Sequence, residues 1–184
     1  MENNIEFKEF PKMSRLSREI VVTEKIDGTN ASITITEDGQ FLTGSRTRWI
    51  TPNDDNFGFS KWASNNKDEL MNLGVGTHFG EWWGSGIQRG YNLPKGEKRF
   101  SLFNTSRWND ELLRPKCCSV VPILYSGHFD TSNIEICLQQ LSSKGSLVSP
   151  GFMNPEGITI YHTAANFYFK KTIKDDSIPK SLIK

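Results

Sequence analysis

The chain has only three cysteines, Cys117, Cys118 and Cys137, an odd number without metal-ligand spacing, which excludes a disulfide framework as the basis of its fold. Its three histidines, His78, His128 and His162, lie far apart and offer no zinc-type cluster. No apolar run approaches the roughly 20 residues needed to cross a bilayer, so no membrane partner is expected. The opening MENNIEFKEF lacks the basic and apolar regions of a secretory leader, and the expected location is the cytosol. Repeats, low-complexity tracts and interdomain linkers are also missing. The 184 residues are expected to form one domain, 1–184, with no separate C-terminal domain.

Hydrophobic residues make up 36% of the chain and charged residues 23%, the balance of a globular protein rather than a disordered one. A net charge of +1 advertises no nucleic-acid partner by itself. Its distribution is less even. Between Arg89 and Lys116 seven basic residues stand against three acidic ones with aromatics among them, a pattern that suits either a solvated surface or a groove for phosphates and bases. IVVTEKI, ASITITEDGQFLTGS, KRFSLFN, CCSVVPILYS, GITIYH and NFYFKKTI read as strands, and Asp38-Gly39 closes a hairpin over residues 31–45. SNIEICLQQLSSKG predicts a helix with Ser132 as N-cap, Glu135 completing a capping box, and Gly145 as its stop. A weaker helical pattern runs from about Ser60 to Leu73. Strands without long crossover helices predict an α+β fold of mainly antiparallel sheets flanked by a few helices.

Several short motifs carry chemistry. In TEKIDGTN, Lys25 stands at the end of a strand, just ahead of an Asp-Gly turn; an amine there becomes a nucleophile only if desolvation or neighbouring cations remove its proton. GSRTRW sets Arg46 and Arg48 two apart after a strand, predicting two guanidinium forks on one face for phosphate. FGEWWGSGIQRGY surrounds Glu81 with glycines and tryptophans, so that backbone can approach a ligand while the carboxylate reaches a hydroxyl. Phe103 alternates with polar neighbours and is suited to stack on a base. Glu156 heads the strand in NPEGITIYH, a place for a metal ion or its waters. Strand parity puts Lys170 and Thr172 on one face of FYFKKTIK and Lys171 on the other.

Taken in order, these motifs resemble the covalent nucleotidyltransferase superfamily of ATP-dependent ligases and mRNA-capping enzymes. TEKIDGTN with Asn30, and GEWWGSGIQRGY with Gln88 seven residues after Glu81, are more narrowly similar to the nick-sealing, phage-type RNA ligases, over about Phe10 to Lys174. The resemblance implies an ATP-grasp-like adenylyltransferase domain that joins RNA 3'-hydroxyl and 5'-phosphate ends through a lysyl-AMP intermediate and then an RNA-adenylate. ATP would be the AMP donor and Mg²⁺ or Mn²⁺ the metal. Lys25 would be the catalytic nucleophile. The main chain around Glu24 and Ile26 would meet the adenine, Glu81 the ribose, and Phe103 the face of the base. Arg46 and Lys170 would lie near the α-phosphate, Asn30 would orient phosphates, and Glu156 would support the metal, with Arg48 and Gln88 as weaker candidates. The implied partners are RNA ends in a nicked duplex or hairpin, together with an accessory RNA-binding protein, in the host cytoplasm if a phage encodes the chain. One departure stands out: the family's last motif offers lysines two apart, and here the second slot holds Thr172, with Lys174 further on. A DNA ligase, a capping-type nucleotidyltransferase and a binding module without turnover stay open as alternatives.

Overall fold

A computed structural model describes residues 6–178. Ten strands form two sheets: β1 (Glu19–Lys25), β2 (Thr29–Ile35), β3 (Phe41–Gly44), β4 (Trp49–Ile50), β5 (Gly76–Gly84), β6 (Lys98–Leu102), β7 (Cys118–Val120), β8 (Ile123–His128), β9 (Gly157–His162) and β10 (Phe167–Thr172). The four-stranded sheet runs β10-β9-β1-β8 and is antiparallel throughout. The six-stranded sheet runs β4-β3-β2-β5-β6-β7, and its single parallel pair is β6 with β7. Four short to medium helices flank them: α1 (Phe59–Asn65), α2 (Lys67–Leu70), α3 (Thr105–Trp108) and α4 (Thr131–Lys144). The mainly antiparallel α+β architecture follows from alternating strands joined mostly by turns.

Three apolar clusters hold the layers together. The largest fills the space between the six-stranded sheet and its helices, with Ile33, Phe59, Leu70, Leu73, Phe100 and Leu102 fully buried; each such side chain contributes roughly 1.5–3 kcal/mol. The second packs Ile134, Cys137 and Leu141 of α4 against Ile20, Val22, Ile158 and Ile160. Because side chains alternate, that contact turns Lys25 to the opposite face of β1, toward the other sheet. The third cluster, Ile26, Trp83, Tyr91, Val121 and Phe152, lies where the two sheets meet.

CCSVVPILYS is not one strand, as its alternation predicts. It divides at Val121-Pro122 into β7 of one sheet and β8 of the other, because proline has no N–H to continue a ladder. The crossing is tied on both sides: Val121 N–H donates to Leu102 O (3.1 Å) and Pro122 O accepts from Glu24 N–H (3.0 Å). The predicted start of α4 is also corrected. Asp130 is the N-cap, accepting from Ser132 N–H at 2.7 Å, and Glu135 pairs with Lys171 at 3.5 Å instead of closing a capping box. Gly145 ends the helix as predicted. The pattern from Ser60 to Leu73 breaks at Asn66, whose amide donates to Trp62 O (2.8 Å) and competes with the helix, leaving α1, α2 and a 3-10 turn at Met71–Leu73. The first half of FGEWWGSGIQRGY, absent from the strands read by alternation, is central strand β5; its glycines disguised the pattern.

Candidate active site

The end of β1, the turn after it and the start of β9 converge. Lys25 is cross-strand from Gly157, which is in turn opposite Thr172 on β10, so these three share a row. Lys25 Nζ lies 2.5 Å from Glu156 Oε2; the lysine side chain is 25% exposed and the glutamate's 7%. A side chain at Gly157 would collide with the Lys171 carbonyl, so only glycine lets β9 and β10 approach closely there. Gly28 meets the same constraint from the Trp82 carbonyl and the Trp83 Cβ. That closeness lets the Gly28 N–H reach Glu81 Oε1 at 3.0 Å, while Asn30 Nδ2 donates to Oε2 at 3.2 Å. Burial pushes the Glu81 carboxyl up to about 7, against the Gly28 N–H and the charge of Lys25. Glu81 thus sits near the boundary between donor and acceptor at neutral pH.

Glu24 points to the other face of β1. Its carboxylate accepts from Ser146 Oγ (2.5 Å), Leu147 N–H (2.8 Å) and Val148 N–H (3.1 Å), tying down the segment after α4. Burial raises its pKa and those hydrogen bonds lower it, with burial prevailing. Its own N–H donates to Pro122 O at 3.0 Å. Ile26 is buried, and half-buried Phe103 packs on the cluster that contains it.

The cations lie further out. Arg46 occupies an exposed turn between β3 and β4, closed by Ser45 N–H donating to Arg48 O at 2.8 Å, and makes no hydrogen bond or ion pair among the described residues. Arg46 and Arg48 therefore do not share a strand face as their spacing predicts; Arg48 turns to Asp54 at 2.6 Å. Gln88 is exposed, with a left-handed backbone. On edge strand β10 the parity reading agrees with the register. Lys171 faces α4, pairing with Glu135 (3.5 Å) and Asp176 (3.8 Å), while Lys170 and Thr172 face the side of Lys25. The Thr172 hydroxyl is engaged by Lys174 O at 2.8 Å.

One network at the site was not read from the sequence. Arg89 Nε donates to Asp27 Oδ2 at 2.8 Å, and its Nη1 to the carbonyls of Asn154 (2.9 Å) and Pro155 (3.2 Å). Tyr91 Oη accepts from Asp27 N–H at 2.7 Å, and burial drives its phenol pKa upward. Asp27 looked like a turn former and Arg89 like one member of a basic run; nothing local in sequence pairs them.

Among the described residues no group of three or more His, Cys, Asp or Glu side chains could cage a metal ion. Glu156 alone fits the mode in which Mg²⁺ takes one or two carboxylates and completes its shell with water and substrate phosphates.

A family model described as RNA ligase matches residues 18–174. No curated protein matches the chain. Solved structures of Naegleria gruberi RNA ligase share the fold. A glutamate-to-alanine variant with ATP and Mn has a TM-score of 0.64 at 19% identity, covering 86% of this chain and 51% of that one. A lysine-to-methionine variant with AMP and Mn has a TM-score of 0.61 at 20% identity, covering 85% and 50%. A lysine-to-alanine apo variant reaches 0.60 at 20% identity, again covering 85% and 50%. The chain thus spans about half the length of these ligases.

Proposed function

The chain belongs to the RNA ligase family, and from that membership we propose that it is an ATP-dependent RNA ligase, with Lys25 as the residue that receives AMP. The single observation that carries this reading is the convergence of Lys25, Glu156 and the Glu81–Gly28–Asn30 cluster at the mouth of β1. Lys25 Nζ would attack the α-phosphorus of ATP, forming a P–N bond as the P–O bond to pyrophosphate breaks. The amine must first lose a proton, which desolvation by the bound nucleotide would favour against the charge of Glu156, its partner in the free protein. AMP would then pass to an RNA 5'-phosphate. A 3'-hydroxyl would displace it and seal the strand.

The other side chains bind and orient. Glu81, held by Gly28 and Asn30, is suited to a ribose hydroxyl because its buried carboxyl can donate or accept near neutral pH. Phe103 offers a half-buried ring to the base beside the main chain of Glu24 and Ile26. Arg46 and Lys170, exposed, would meet phosphates, and Asn30 would help orient them. Glu156 would hold Mg²⁺ or Mn²⁺, which supplies neutralisation of developing phosphate charge. The RNA ends would be those of a nick or hairpin, with an accessory protein contributing grip on the RNA.

Intact mass after incubation with ATP and Mg²⁺ tests this reading. The expected result is a gain of one AMP on the peptide containing Lys25, lost again when nicked RNA is added and sealed. ATP binding without a covalent adduct would make the protein a binding module; label from GTP, or sealing of DNA nicks alone, would move it to the capping enzymes or DNA ligases.

A further inference from the structure

The loop between β5 and β6 holds three non-glycine residues in left-handed backbone: Gln88 (φ 45°), Tyr91 (φ 53°) and Asn92 (φ 56°). Such backbone persists only where its surroundings over-determine it. Here Ile87 and Tyr91 are fully buried, and Ser149 Oγ donates to the Tyr91 carbonyl at 2.7 Å. What this held loop delivers is Arg89. Its guanidinium touches Asp27, two residues beyond Lys25, and the carbonyls of Asn154 and Pro155, immediately ahead of Glu156. It therefore spans the two segments whose side chains meet in the Lys25–Glu156 pair. A planar fork can serve a carboxylate and two carbonyls at once, whereas a lysine ammonium acts as a point charge on a flexible stem.

We propose that Arg89 is a positioning residue for transfer of AMP to Lys25: by bridging the Asp27–Gly28 turn to the Asn154–Pro155 loop it fixes the separation of Lys25 Nζ and Glu156 Oε2, without itself touching the nucleotide. This rests on the reading of Lys25 as the nucleophile. A lysine held a fraction of an ångström off line loses rate through misalignment, even when the nucleotide binds as before.

Single-turnover transfer from radiolabelled ATP, measured over a range of ATP concentrations for wild type, Arg89→Lys and Arg89→Ala, tests it. The maximal rate per active molecule is expected to fall about tenfold or more in Arg89→Ala, with half-saturating ATP within about twofold of wild type and Arg89→Lys between the two. A scaffold role would lower the melting temperature and the active fraction while leaving the rate per active molecule unchanged, and that result overturns the proposal. So does a rise in half-saturating ATP that matches the fall in rate, because Arg89 would then be a nucleotide ligand. A second measurement needs no ATP: labelling by an amine-reactive ester, read at the Lys25 peptide, is expected to run about threefold faster in both variants as the lysine loses its fixed partner. Equal labelling in all three proteins overturns the clamp. If wild type takes no AMP yet Lys25 labelling still depends on Arg89, the clamp stands and the ligase reading fails.

Discussion

The inner and outer halves of the site are built differently. At the inner end, every carboxylate has protein partners: Glu24 on the Ser146–Val148 segment, Glu81 on Gly28 and Asn30, Asp27 on Arg89, Glu156 on Lys25. At the rim, Arg46 and Lys170 are exposed and make no ion pair among the described residues. Buried charge must be satisfied by the fold itself, because leaving it unpaired is costly. Exposed cations can wait in water for an anion. If the cleft takes ATP as proposed, its nucleoside end would be assembled in advance and its phosphate end left to the ligand to complete.

The sharpest way to break this contrast is Lys25→Ala, which should reduce label transfer by roughly a thousandfold or more. It should also destabilise the protein by about 1–2 kcal/mol, because it removes a close partner from a buried carboxylate; urea titration checks the second effect. Next comes Glu81→Gln. A carboxyl raised from 4.5 to about 7 by burial binds its proton more tightly in the folded state. Its contribution is therefore favourable below pH 4.5 and declines as pH rises toward 7, on the order of 3 kcal/mol in all. Thermal melts over that window should show wild type losing stability relative to the glutamine variant; parallel curves would place the Glu81 charge in water. At the rim, Arg46→Ala and Lys170→Ala should each slow adenylylation about tenfold with almost no change in melting temperature. Lys171→Ala, on the same strand but facing α4, should leave the rate untouched and cost under about 1 kcal/mol, as exposed pairs do.

The strands that carry Lys25 and Lys170, and the one that follows Glu156, were legible because period-two alternation survives in a single sequence, and parity alone separated Lys171 from Lys170. Legibility stopped at long range and at glycine. Asp27 and Arg89 lie 62 positions apart, and no local pattern could join them. Strand β5 hid behind Gly76, Gly80 and Gly84, and Arg46 was assigned to a strand face although it sits in a turn that the spacing of two arginines cannot distinguish. Asp130 outcompeted Ser132 as helix cap, a choice that two suitable neighbours leave open until the chain's path is known.

The crossing at Val121-Pro122 bears on how this cleft exchanges its contents. The chain passes between the sheets there and again at Asp27-Gly28, and the first crossing is pinned to each sheet by the Val121–Leu102 and Glu24–Pro122 bonds, so rotation of one sheet against the other is confined to the few backbone dihedrals at these two points. Under the proposed function, a nucleotide would therefore enter past exposed segments such as the Arg46 turn rather than through a jaw-like opening of the whole molecule.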